Sequence, residues 1–258
     1  MGVLEVKGVR IGEGEPKIMI SLMGVHIRDC LGTAVKGQLA GVDCFEYRAD
    51  FSDDIHDQPR MVEHCHELRD ALPANPLQFT FRTEDQGGQA TLPLEDYISL
   101  NKAVIEDGSV DMVDIELCIG DDNVSDLVSC AKEHGVIAVI SYHNFDKTPS
   151  ADEMVGIMEH MLELGADLPK VAVMAHDAQD VLALLSATEQ VSRAHDGTPL
   201  QTMSMGRIGS ISRLTGELFG SSLTFCSLDE ETSGPGQVSV ERARRIMDEF
   251  HAEFTQGN

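Results

Sequence analysis

The chain has 258 residues, with 44 Asp and Glu against 19 Lys and Arg, and a formal charge of −25. That balance excludes nucleic-acid binding, which needs a basic face, and favours solubility. No apolar run approaches the ~18 residues of a membrane-spanning helix, and any anionic substrate would need local arginines to offset the overall field.

The first segment, MGVLEVKGVRIGEGEPK, is charged throughout. It lacks the apolar core of a secretion signal and the Ser or Thr at position 6 of a myristoylation pattern. It reads as a short β-hairpin, with Gly12-Glu13-Gly14 leading into the first core strand. Eight apolar, β-branched runs follow, at Ile18–Leu22, Cys44–Tyr47, Gln78–Phe81, Val113–Leu117, Ile137–Ser141, Lys170–Met174, Leu200–Met203 and Leu223–Cys226. Helical patterns fill the gaps. In Ser150–Leu164, Met154, Ile157, Met158, Met161 and Leu162 form an apolar stripe, and Gly165 is placed to end the helix. Strand–helix alternation repeated eight times in one chain of this length predicts an α/β fold, a (β/α)8 TIM barrel, as one domain over residues 1–258. A doubly wound sheet is the rival. The text after the first strand, SLMGVHIRDC, lacks its glycine-rich phosphate fingerprint.

The six cysteines form no CxxC pair, which suits free thiols in a reducing cytoplasm. His64, Cys65 and His66 are consecutive on a helical pattern and point in different directions, so no metal site is expected there.

Lys170 lies in the apolar run LPKVAVM, and His143 closes another, VIAVISYH. Both are expected where a strand meets a loop. Desolvation among Val171, Val173 and Met174 disfavours the ammonium, and a neutral amine can form a Schiff base with a carbonyl. A histidine nearby can move protons at neutral pH. Taken alone, each residue is equally a snorkelling lysine or a core histidine. Strand alternation adds more inward polar groups: Ser21, Glu46, Arg48, Arg82, Asp114 and Glu116, with Met203, Met205 and Phe225 as apolar neighbours. Glu46 and Arg48 share a face and could form an ion pair. Asp114 and Glu116 share one too, with Lys170 two strands away.

The blocks FEYRAD (45–50), FTFR (79–82), VDMVDIEL (110–117), SYHNFDKTP (141–149), GADLPKVAVM (165–174), TMSMGRIGSISRLTGELFGSSLTF (202–225) and SGPGQ (233–237) resemble the type I 3-dehydroquinate dehydratases, in order and along nearly the whole chain. The resemblance implies a (β/α)8 barrel, a homodimer, and no metal or organic cofactor. It implies dehydration of 3-dehydroquinate to 3-dehydroshikimate, a step shared by aromatic amino-acid biosynthesis and quinate degradation. It places the Schiff base on Lys170 and the general acid/base on His143. It gives Arg213, with Gln237 and Ser233, the substrate carboxylate, and gives Glu46, Arg48 and Arg82 the ring hydroxyls. Met203, Met205 and Phe225 become walls, and Ser21 a hydrogen-bonding group near the floor.

One position departs from the family pattern. Where many members have a glutamate bonded to the histidine, Gln86 stands here, with an amide oxygen expected to accept from the imidazole N–H. Ser227–Gln237 reads as a mobile lid hinged at Gly234-Pro235-Gly236, with Asp229-Glu230-Glu231 facing solvent. Two other readings compete. A class I aldolase or transaldolase would share the lysine but needs a phosphate cradle, which the GRIGS segment (206–210) supplies poorly beside Arg213. A degenerate barrel acting as a sensor would have no use for an intact Lys170, His143 and arginine set.

Overall fold

The structure, a computed structural model, describes residues 2–228 and 232–256. It begins with the expected hairpin, β1 (Leu4–Val6) and β2 (Val9–Ile11), paired antiparallel. Then come β3 (Lys17–Leu22), α1 (Ile27–Leu39), β4 (Cys44–Arg48), α2 (Gln58–Ala71), β5 (Leu77–Thr80), α3 (Leu94–Asp107), β6 (Met112–Glu116) and α4 (Asp121–His134). The second half holds β7 (Ile137–Asn144), α5 (Ala151–Glu163), β8 (Leu168–Met174), α6 (Ala178–Ala194), β9 (Gln201–Met205), α7 (Gly206–Leu214), α8 (Gly216–Phe219), β10 (Leu223–Ser227), β11 (Val238–Ser239) and α9 (Val240–Gln256).

The sheet is parallel and runs β11-β10-β3-β4-β5-β6-β7-β8-β9. Its two ends meet where Leu200 bridges Ser221 and the Ser222 N–H donates to the Leu200 carbonyl at 2.7 Å. That closes β3 through β10 into the eight-stranded barrel. All eight expected strands are present, with ends shifted by a few residues. Outward residues such as Ile18, Ile20, Phe45, Phe79, Ile115, Ile140, Val171 and Val173 form the layer between sheet and helices. Inward Met19, Cys44, Met112, Val139, Leu168 and Leu223 pack with Val6 and Ile11 of the hairpin, which therefore plugs the N-terminal end of the barrel. Chemistry is left to the other end.

The helix read at Ser150–Leu164 is α5 with its caps. Ser150 and Glu153 make a capping box at one end. At the other, Gly165 at φ 93° and Ala166 return N–H groups to Leu162 and Met161, a Schellman closure. Among the described residues, no helix is long and apolar enough to cross a membrane.

Two strand limits change the setting of the reactive pair. β8 begins at Leu168, so Lys170 is its third residue and lies mid-strand rather than at a strand–loop junction. Pro169 is tolerated because the β8–β9 ladder starts only at Lys170 and Gln201. β7 runs on to Asn144, which places His143 inside the strand.

Candidate active site

At the C-terminal ends of the strands a cavity of about 450 Å³ is lined by Glu46, Arg48, Arg82, Gln86, His143, Lys170, Met203, Met205, Arg213, Phe225, Ser233 and Gln237. Twelve of the fifteen residues singled out from sequence therefore line one cavity. The other three stand behind it. Asp114 and Glu116 are fully buried beneath, and Ser21 lines an adjoining cavity.

Lys170 is 3% exposed. Its apolar sequence neighbours do not surround the amine: Val171 and Val173 point outward, away from the barrel axis. The Nζ instead donates to Asp114 Oδ2 at 2.8 Å and Glu46 Oε1 at 3.4 Å, and lies 4.9 Å from the centre of the Phe225 ring. Phe225 is more than a wall; its ring face meets the cation.

The acids beneath are shared out by geometry. Arg82 donates to Asp114 Oδ2 at 2.7 Å, Glu116 Oε1 at 2.8 Å and Ser141 Oγ at 2.9 Å. Ser141 in turn donates to Asp114 Oδ1 at 2.6 Å. Glu116 pairs with Arg82 and Thr83, so of the two acids only Asp114 reaches Lys170. Burial alone would raise the Asp114 pKa, but Arg82 and Lys170 hold it well below the ordinary carboxylate range. Burial likewise works against Arg82, yet Asp114 and Glu116 raise its pKa above the usual value.

Glu46 and Arg48, which share a face, do not pair with each other. A 3-10 turn at Ala49–Phe51 folds Asp50 back onto Arg48, which donates to both of its carboxylate oxygens at 2.7 Å. Glu46 is instead ringed by donors: Ser21 Oγ at 2.6 Å on one oxygen, and Thr80 Oγ1 at 3.0 Å, Gln78 Nε2 at 3.3 Å and Lys170 on the other. Ser21 is not near the floor. Its hydroxyl lies 2.9 Å from Ser233 Oγ, joining Glu46 to the segment across the mouth.

His143 stands on β7, beside the strand that carries Lys170, and both side chains line the cavity. Burial, then the Arg82 and Lys170 charges, hold its pKa well below the ordinary 6.5, although Asp114 acts the other way. Gln86 reaches this histidine, but not its ring. The amide Oε1 accepts the backbone N–H of His143 at 2.9 Å, and the buried ring Nδ1 has no hydrogen-bond partner among the described residues. The ring lies face to face with Phe145, centroids 6.3 Å apart and planes at 13°. Gly87 makes room for that ring: at φ 84°, an added Cβ would stand 2.3 Å from Phe145 Cε2.

Gln86→Glu puts a negative charge beside the His143 backbone N–H, at the C-terminal end of β7. It is therefore expected to raise the histidine pKa and move the acidic limb of the pH–rate profile upward, since the base is lost at higher pH. An unmoved limb would show that position 86 is not coupled to the imidazole.

Arg213, in α7, is 3% exposed and has no carboxylate partner among the described residues. Its Nη2 donates to the Pro235 carbonyl at 3.1 Å, Nη1 meets Met203 Sδ at 3.5 Å, and Nε is unpartnered. Burial lowers its pKa to about 10. A guanidinium so placed is a site for an incoming anion. Residues 232–237 cross the mouth, with Gln237 Nε2 donating to Ser233 Oγ at 2.7 Å and the Gly206 N–H to the Pro235 carbonyl at 3.2 Å. Asp229-Glu230-Glu231, expected to face solvent, lie outside the described residues.

Sequence reasoning missed Asp50, Thr80, Ser141, Phe145 and the inward Gln78. Strand parity marks Gln78, Thr80 and Ser141; nothing local marks Asp50, whose position depends on a turn.

Fold and site define an α/β barrel whose open end gathers a buried amine, an imidazole and a guanidinium with no carboxylate partner among the described residues. A sequence profile described as type I 3-dehydroquinase matches residues 18–253. The 3-dehydroquinate dehydratase of Salmonella agona (strain SL483) is 41% identical over 251 residues, 97% of this chain and 99% of that protein. The type I 3-dehydroquinate dehydratase of Clostridium difficile, solved with covalently modified comenic acid, superimposes with a TM-score of 0.94 at 38% identity, over 97% of this chain and 98% of that one. The 3-dehydroquinate dehydratase of Geobacillus kaustophilus HTA426 gives a TM-score of 0.93 at 36% identity, over 97% and 96%. The chain belongs to the type I 3-dehydroquinase family.

Proposed function

We propose that this chain dehydrates 3-dehydroquinate to 3-dehydroshikimate, a step of the shikimate pathway, through an imine on Lys170 with His143 carrying the protons. The observation that carries the reading is one cavity combining a buried amine, an imidazole whose pKa burial holds below the ordinary value, and a guanidinium without a carboxylate partner among the described residues.

The chemistry follows from those groups. The Lys170 ammonium passes a proton to His143, the freed amine attacks the C3 ketone, and His143 returns that proton as the carbinolamine loses water to give an iminium. That cation withdraws electrons from C2, and neutral His143 takes the C2 proton to leave an enamine. The enamine re-forms the iminium as the C1–O bond breaks, and His143 returns its proton to the departing hydroxyl. Water then hydrolyses the conjugated iminium, releasing the product ketone and the Lys170 ammonium. One water leaves overall, because imine formation and hydrolysis cancel. Asp114 keeps its charge throughout and orients the amine, and no metal or organic cofactor enters the sequence.

Arg213, Gln237 and Ser233 take the substrate carboxylate. Glu46 and Arg48 face the ring hydroxyls, and Arg82 acts from beneath through Asp114 and Glu116. Arg213→Gln is expected to raise KM by roughly 10²-fold, with a smaller change in kcat, because a two-point charged clamp is lost while the amine and imidazole remain. We also infer a homodimer in the cytoplasm, as the family resemblance implies; the six cysteines, all free, suit a reducing compartment. The direct test is an assay with 3-dehydroquinate that follows the ultraviolet absorbance of the conjugated enone. Growth of that band with enzyme concentration is the expected result, and its absence from folded protein would overturn the reading.

A further inference from the structure

Two glutamines lie in the barrel core one layer beneath Lys170. Gln78 is the second residue of β5 and Gln201 the first of β9, and both are fully buried. The register sets their level. Gln78 pairs with Glu46 and Gln201 with Lys170, while Lys170 meets Glu46 and Asp114 in the layer above. β5 and β9 are four strands apart, on opposite walls, and side chains from opposite walls of so small a barrel meet at its axis. Met19 and Val139, inward on the strands between, are apolar.

The hydrogen bonds fix which way Gln78 faces. Its amide sits against Glu46 Oε1 at 3.3 Å and Thr80 Oγ1 at 3.0 Å. An ionised carboxylate only accepts, so the NH2 must be the side turned to Glu46. Oε1 is then turned away and has no donor among the described residues. Gln201 has neither a donor nor an acceptor: both of its amide atoms are buried and unpartnered. Two amide heads so placed, in an otherwise apolar layer, require a small partner that both donates and accepts.

We propose that one ordered water binds on the barrel axis beneath Lys170, donating to Gln78 Oε1 and hydrogen-bonded to the Gln201 amide. Gln78 is thereby a positioning residue. It holds the Glu46 oxygen that faces the Lys170 amine, and Gln201 steadies Gln78 through the water.

The test combines crystallography with a mutant cycle. A crystal structure fine enough to place waters is expected to show one within hydrogen-bond distance of Gln78 Oε1 and of the Gln201 amide, and to lose it in Gln201→Leu. In urea, Gln78→Leu and Gln201→Leu should each lower the unfolding midpoint, with the double variant losing less than the sum, since it removes both orphaned amides together. Amides bonded directly to each other across a dry floor, or additive midpoints, would overturn the proposal. The positioning role rests on the imine reading. It predicts that Gln78→Leu slows borohydride trapping at Lys170 about tenfold, the scale of one hydrogen bond to a charged group. Unchanged trapping would refute the positioning role and leave the water intact, whereas no trapping in the unaltered protein would refute the imine reading alone.

Discussion

Lys170→Ala is expected to lower kcat by on the order of 10⁴-fold or more, because it removes the atom that must bond to the substrate. The fold should survive the change. Asp114 keeps the Arg82 guanidinium at 2.7 Å and the Ser141 hydroxyl at 2.6 Å, and Glu46, which loses its cation, keeps hydrogen bonds from Ser21, Thr80 and Gln78. The stability loss should therefore fall short of the ~3–5 kcal/mol that follows when a buried ion pair is broken with nothing to replace it. Circular dichroism and urea midpoints on the same preparation separate lost chemistry from lost structure. An alanine variant that is folded and retains more than a percent or so of activity would show that the amine is not the nucleophile.

His143→Ala carries the second large effect. A positioned acid/base is worth about 10²–10⁴-fold, and here one ring serves both the C2 proton and the leaving hydroxyl. Burial and the cations Arg82 and Lys170 keep the imidazole neutral at rest, so it begins the cycle as a base. Lys170 can still be attacked by the ketone in this variant. The expectation is a fall in kcat with a small change in KM, and an imine that accumulates because its onward proton transfer is slow. Single-turnover measurements distinguish the cases. A loss below tenfold would mean that another group or solvent moves the protons.

Much of this site was legible from residue order, for definite reasons. Inward alternation along each strand marks Ser21, Glu46, Asp114, Lys170, Met203 and Phe225, because a closed barrel leaves no other face for them. The stripe and caps of α5 were equally plain, since Ser150, Glu153 and Gly165 act over a few residues. What could not be read depends on groups distant in sequence or on rotamers. Asp50 captures Arg48 only because a 3-10 turn reverses the chain after β4. Period-two alternation shows only that Arg48 and Glu46 share a face. The apolar sequence neighbours of Lys170 face the helices and do not surround its amine, whereas Asp114, read from strand parity as lying two strands away, does meet it. Gln86 was correctly brought to His143, but spacing cannot tell a backbone N–H from a ring nitrogen.

Lys170, Asp114 and Arg82 form the centre of the proposed catalytic arrangement. It keeps a reactive nitrogen buried, oriented and within reach of the cavity, while the carboxylate that orients it stays ionised. Arg213 complements it from the lid side as a cation awaiting an anion. The segment across the mouth meets the same guanidinium through the Pro235 carbonyl, so the proposed carboxylate anchor also holds that segment.

The most direct measurement is reductive trapping. The protein is mixed with 3-dehydroquinate, treated with borohydride, digested, and the peptides weighed. The account predicts a stable mass addition on the peptide carrying Lys170, present in the unaltered protein and in His143→Ala, and absent from Lys170→Ala. An active enzyme that yields no adduct, or one that is labelled at a different lysine, would contradict it.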